Sequence, residues 1–232
     1  MTPGELLDLH VEALFRRDID GRMYANNTLG FEPAPRFYLG RCEEGAVALV
    51  RDDVPPQIAA DLLELASAEP PHMSPRSGPR FAASYLELLS EDGPVSRTYF
   101  GPAFVLPAGV SLPPAEAREL TRGDIALFSP HFPWLKADVE AGQPAFGLVR
   151  DGVLVGQCCC ARLTARAAEA GLEVAEAYRG RGFAKDCTAA WAQHIRASGR
   201  VAMYSTTWEN EASLAVAAAL GFEQYATDWH AA

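Results

Sequence analysis

The stretch Tyr178-Arg179-Gly180-Arg181-Gly182-Phe183-Ala184 sits between an apolar run ending at Val174 and an amphipathic run beginning at Ala184. Two glycines followed by a small residue let a strand turn sharply into a helix while backbone N–H groups converge on one point, which makes an anion site. The spacing predicts a helix over 184–196, with Ala184, Thr188, Trp191 and Ile195 on one face and Ser198-Gly199 as its stop. A strand over 168–175 precedes it. Strand, glycine turn and helix, in that order, constrain the fold more tightly than any other part of the chain.

The same spacing excludes two common phosphate loops. A P-loop requires Lys and then Ser or Thr after its last glycine, where this chain has Phe183-Ala184. A dinucleotide fingerprint requires a third glycine and an acidic residue about 20 residues on. Gly180-Arg181-Gly182 lacks that glycine, and the next strand reaches Ser205 without an acid.

What fits is Arg-x-x-Gly-x-Ala, met by Arg179, Gly182 and Ala184. It resembles the acetyl-CoA pyrophosphate loop of the GCN5-related N-acetyltransferases, the GNAT family. A second match lies downstream, after a strand candidate over 200–205. Asn210 is a good N-cap, Leu214, Ala217 and Leu220 repeat at helical spacing, and Gly221-Phe222 closes the helix. In the family an Asn, a small residue three on and a terminal Leu-Gly-Phe mark the helix flanking the CoA arm; Asn210, Ser213 and Leu220-Gly221-Phe222 match them. The two motifs stand about 30 residues apart, enough for one βαβ crossover.

The resemblance implies an α/β (α+β) fold with a mixed, bent sheet flanked by helices. That GNAT-like, acetyl-CoA-binding domain is expected over 115–232, after a smaller α/β N-terminal domain over 1–110, with the proline-rich run Pro107–Pro114 between them. The resemblance extends from near Thr121 to Phe222 and is specific from Ala168 onward. Through Ala168-Glu169-Ala170-Gly171 and Tyr204-Ser205-Thr206-Thr207-Trp208 it is similar to a bacterial group of the family that carries an additional N-terminal domain.

The activity implied is N-acetyl transfer from acetyl-CoA to the amine of a small acceptor. Backbone N–H groups of Gly180, Arg181, Gly182, Phe183 and Ala184 would cradle pyrophosphate, with Arg179 in the motif and Arg181 and Lys185 toward the outer phosphates. Val174 and Ala175 stand where the family's strand splays to free backbone groups for pantetheine and the thioester. Glu169 and Glu173, four residues apart on a period of two, share a face of an undistorted strand, and either can deprotonate an ammonium. Glu169 precedes the loop at a distance similar to the family's catalytic glutamate and is favoured; a structural ion pair is the other reading for each. The family's general-acid Tyr, seven residues after the helix-start Asn, falls on Ala217. Tyr225, Tyr204, Ser213 or water are the substitutes. The vacancy also admits a different class of function, a non-catalytic acyl-CoA-binding sensor.

Composition bounds the partners. Of the 232 residues 49% are hydrophobic, enough for a packed core throughout, and the net charge of −10 opposes non-specific binding to nucleic acid. No basic leader stands at the start and no apolar run approaches about 18 residues, so a cytoplasmic protein without membrane contact is expected. Five cysteines, three of them consecutive at Cys158-Cys159-Cys160, suit neither a disulfide framework nor a zinc site, and no metal is expected. In a strand Cys158 and Cys160 pack on one face and Cys159 on the other. The oligomeric state is open, with a homodimer admitted.

The first hundred residues give structure rather than chemistry. Leu6, Leu9, Val11, Leu14 and Phe15 predict a helix with His10 on its polar side. Strands are expected over 36–40, 46–51 and 99–106, helices over 58–68 and 81–90, and a loop over 70–79. Beyond the proline run, Phe128, Phe132, Trp134 and Leu135 either line an acceptor pocket or fill the core. Strands over 145–149 and 153–161 are joined through Arg150-Asp151-Gly152, whose Asp-Gly pair signals a hairpin.

Overall fold

The structure is a computed structural model that describes residues 1–71 and 76–232. In chain order its elements are α1 (Pro3–Leu14), β1 (Phe15–Arg17), β2 (Met23–Asn26), β3 (Phe37–Cys42), β4 (Gly45–Val50), α2 (Pro56–Ser67), α3 (Ala82–Ser90) and β5 (Thr98–Val105). Then come β6 (Arg118–Glu119), α4 (Leu135–Glu140), β7 (Ala145–Arg150), β8 (Val153–Leu163), β9 (Ala167–Val174), α5 (Phe183–Ala197), β10 (Val201–Ser205), α6 (Glu211–Leu220) and β11 (Glu223–Ala231). They form two compact units. One comprises Met1–Phe104, Ser205–Glu211 and Gln224–Ala232; the other comprises Val105–Tyr204 and Ala212–Glu223.

In the first unit the strands run in the order β4-β3-β11-β5. β11, a strand that no sequence signal announces, is antiparallel to β3 from Ala226 opposite Cys42 to Ala231 opposite Phe37. The apolar faces of α2 and α3 close over this sheet, burying Phe37, Leu39, Leu62, Tyr85, Leu89 and Trp229 in one cluster. α1 starts from a capping box, in which Thr2 and Glu5 satisfy each other's backbone N–H groups. His10 corrects the sequence reading: it is fully buried rather than on a polar face, with Nδ1 3.7 Å from Asp228 Oδ2. That carboxylate also accepts a hydrogen bond from the Tyr38 hydroxyl at 2.6 Å, so a polar partner from a distant strand draws the imidazole inward. Of the loop expected over 70–79, residues 72–75 lie outside the described residues.

In the second unit the order is β6-β7-β8-β9-β10. β6 to β9 are antiparallel neighbours, whereas β10 is parallel to β9, so the sheet is mixed. β7 and β8 are joined by the two-residue turn Asp151-Gly152, both at positive φ (50° and 78°), as a tight hairpin demands. α5 is the crossover between β9 and β10 and packs on one face of β8. There Trp191 Nε1 donates to Cys160 Sγ at 3.3 Å, and a side chain at Gly156 would meet Val174, Cys187 and Phe183. Cys159 points to the other face, into a cluster with Phe128, Phe132, Leu135, Val139 and Ala175. The three consecutive thiols thus divide between the two faces. Phe128, Phe132 and Leu135 are core, and Trp134 alone of that group is exposed.

Candidate functional site

β9 ends at Val174, a single 3₁₀ turn covers Glu176–Tyr178, and α5 begins at Phe183. Between them Gly180 and Gly182 adopt φ of 75° and 83°, left-handed conformations that cost a residue with a Cβ about 1–2 kcal/mol. A Cβ at either position would meet nothing within 4 Å, so the outer side of the turn is open. Gly182 is also the N-cap of α5 and supplies no side-chain acceptor. The first intrahelical bond runs from Asp186 N–H to Gly182 C=O, which leaves the amides of Phe183, Ala184 and Lys185 as first-turn donors facing outward along the helix dipole.

The loop's cations brace it from within. Arg179 Nε donates to the Val174 carbonyl at 3.2 Å, and Arg181 Nη2 donates to the Ala177 carbonyl at 3.1 Å while its guanidinium lies 5.2 Å over the Tyr178 ring. Tyr178 in turn stacks on Phe183, whose ring carries the Arg150 guanidinium at 5.2 Å. Ala175 N–H donates to the Val155 carbonyl. Asp186, one turn into α5, accepts from the N–H groups of Glu116 and Ala117 and ties the incoming chain to the helix.

The two glutamates of β9 share one sheet face, as their spacing requires, but in different surroundings. Glu169 is 2% exposed, and its Oε2 receives Arg162 Nη1 at 3.1 Å. Glu173 is exposed and lies opposite Gln157 of β8. Gln157 is 1% exposed, and neither its amide nitrogen nor its amide oxygen has a hydrogen-bond partner. Asp138 of α4 approaches the same face. Burial holds its carboxyl above the usual carboxylate range, and its charge, with a smaller contribution from Glu173, adds to the burial that pushes the Cys159 thiol up. Sequence reasoning missed Gln157 and Asp138, because a lone polar residue in an apolar strand or on a short helix leaves no periodic signal.

The remaining candidates divide between the units. Ser213, in the first turn of α6, hydrogen-bonds Tyr204 of β10, whose hydroxyl burial pushes up to about 12. Ala217 is fully buried. Asn210 immediately precedes α6 and is exposed, in the segment 205–211 that belongs to the first unit. Tyr225 lies in the first unit too, on β11, edge-on to His10 with ring centroids 6.0 Å apart. Among the described residues no group of three or more His, Cys, Asp or Glu is gathered as metal ligands, and no helix is long and apolar enough to cross a membrane.

Comparison with known proteins bears on the same region. A family model for GNAT acetyltransferases matches residues 143–229, the span from β7 into β11. No curated protein matches the chain. Among solved structures, a GCN5-related N-acetyltransferase-like protein from Streptococcus suis is 15% identical, with 86% of this chain and 85% of that one covered and a TM-score of 0.51. A Drosophila protein is 20% identical over 80% of this chain and 73% of its own, with a TM-score of 0.52. A putative GNAT-family acetyltransferase from Novosphingobium aromaticivorans is 21% identical over 59% of this chain, with a TM-score of 0.48; this chain spans 65% of its length. At these identities the first two likenesses establish a shared fold.

Proposed function

We propose that the protein is an N-acetyltransferase that moves an acetyl group from acetyl-CoA to the amine of a small acceptor, a reading supported by the match of residues 143–229 to the family model for GNAT acetyltransferases. The observation that carries the reading is the Gly180–Gly182 turn, with positive φ at both glycines, open space where each Cβ would stand, and the uncapped first turn of α5 behind it. Such a turn suits a pyrophosphate, because backbone donors and the helix dipole converge where no side chain intrudes. Acetyl-CoA would supply the activated thioester; the chain's own residues would hold it and move the protons.

An amine reaches the site as an ammonium and must lose a proton before it attacks. Glu173 is exposed and without an ion pair among the described residues, so we assign it that proton, directly or through water. Glu169 is the alternative, and its ion pair with Arg162 must loosen before it acts. For the departing thiolate, the Tyr204–Ser213 hydroxyl pair supports a donor role: with a pKa near 12, Tyr204 stays protonated at neutral pH. The net charge of −10 favours a cationic small molecule over nucleic acid as acceptor. A cytoplasmic location goes with this reading.

The test is release of CoA thiol on incubation with acetyl-CoA and a panel of small amines, paired with calorimetry of CoA binding. Thiol release that depends on the amine supports the proposal. A second reading, a non-catalytic acyl-CoA sensor, is favoured by fully buried Ala217 at the position where the family carries its acid. Tight CoA binding without thiol release to any amine would select it.

A further inference from the structure

The face of the second unit's sheet that α5 leaves uncovered carries a polar set with no internal complement. Gln157 and Glu173 are paired across β8 and β9, and Gln157 shares its face of β8 with Cys159, two residues on. Cys159 packs against Leu135 and Val139 of α4, which brings Asp138 of the same helix to this face. Among the described residues, neither Asp138 nor Glu173 has an ion-pair partner. The nearby cations are taken: Arg162 by Glu169 and Lys136 of α4 by Glu140. Gln157 meanwhile buries an amide with both ends unmatched, an arrangement that folded chains avoid unless a ligand or water completes it.

We propose that Gln157, Asp138 and Glu173 form an ammonium-recognising subsite, and that the acceptor is a primary aliphatic amine captured there as its cation. A primary ammonium has three N–H donors and no acceptor. The Gln157 Oε1 and the two carboxylates match it donor for acceptor, and the Gln157 Nε2 group is left to donate to the Glu173 carboxylate. Two anionic groups against one cation keep the nitrogen charged on arrival, and Glu173 then takes its proton. A secondary amine leaves one acceptor of the set empty, and a quaternary one leaves all three. The inference deepens the acyltransferase reading and rests on it for the transfer step after capture, but binding itself requires no acetyl-CoA.

The experiment therefore measures binding first, by calorimetry without acetyl-CoA, with n-butylammonium and n-butyltrimethylammonium as probes. The primary cation is expected to bind about ten-fold or more tightly than the quaternary one, the worth of a lost charge-assisted hydrogen bond. Gln157→Leu and Asp138→Asn should each weaken n-butylammonium about ten-fold. Gln157→Leu should also raise the Tm of the unliganded protein, because it removes an unmatched buried amide; a purely structural glutamine would lower it. Equal binding of the two probes, or unchanged n-butylammonium affinity in Asp138→Asn, overturns the subsite. The two levels of the argument separate in the thiol-release assay. Intact probe selectivity without acetyl transfer overturns the enzyme alone, and acetyl transfer without probe selectivity overturns the subsite alone.

Discussion

Arg162 and Glu169 face each other across the bulged pairing of β8 and β9, guanidinium to carboxylate at 3.1 Å, with the carboxylate sealed from solvent and the guanidinium a quarter exposed. Breaking a buried pair by neutralising one partner costs about 3–5 kcal/mol, and the exposure of Arg162 puts this case at the low end. Glu169→Gln is therefore expected to melt several degrees below the native protein. Glu173→Gln should leave the melting temperature alone and lower kcat/KM for an amine acceptor by roughly 10²–10⁴. That loss should shrink as the pH approaches the acceptor's own pKa, where more substrate arrives neutral. Paired melting curves and pH–rate profiles decide, and a Glu173→Gln enzyme of full activity would pass the proton to Glu169 or to water.

Gly182→Val places a branched side chain at φ of 83°, on the side of the turn that faces outward. Backbone strain of about 1–3 kcal/mol and the methyls themselves act together there. CoA affinity by calorimetry should fall at least about ten-fold while the circular dichroism spectrum is kept. Undiminished affinity in a folded variant would remove the loop from CoA binding.

Asp124 accepts from Arg118 Nη2 at 2.5 Å and from the Thr121 backbone and hydroxyl, and these bonds, Arg118 first, hold its carboxyl far below the usual range. A depressed carboxyl stabilises the fold fully above its unfolded value near 4, and that contribution fades as the pH falls toward the folded value. Asp124→Asn should lower Tm at pH 7 by a few degrees, as loss of a helix cap does. The difference from the native protein should narrow below pH 4. A gap that stays constant down to pH 2 would show that ionisation of Asp124 is not what stabilises the turn.

All five cysteines are buried, and burial pushes the Cys160 thiol up to about 11 and the Cys187 thiol up to about 12. The native protein should leave a thiol reagent at pH 7.5 unreacted for minutes, then titrate five equivalents in denaturant. Fast labelling of Cys158, Cys160 or Cys187 in the native state, mapped by mass spectrometry, would contradict the packing of β8 against α5.

What was legible in the sequence was local. The β9–loop–α5 passage combines a strand run, glycines that alone tolerate positive φ and a 3.6-residue period, all within one short stretch. The Asp151-Gly152 hairpin is of the same kind. β11 was not legible, because its charged Glu223 and Asp228 break the apolar alternation. Asp228 is buried by a tyrosine 190 residues earlier in the chain, and no window contains both. The chemistry followed the same division. The positive φ of Gly180 and Gly182 follows from their spacing, whereas the different surroundings of Glu169 and Glu173 depend on Arg162, which a bulge at Cys160/Arg162 brings into register.

The placement of β11 between β3 and β5 fixes an order of events during synthesis. Residues 1–104 leave the ribosome with the edges of β3 and β5 that border β11 unpaired, and more than a hundred further residues must be made before the strand that fills the gap is available. Until then the backbone donors and acceptors of Phe37–Cys42 are a template for any extended chain. The nascent first unit is thus a candidate client for a holding chaperone, and a stall or truncation upstream of Glu223 should yield aggregate rather than a stable fragment.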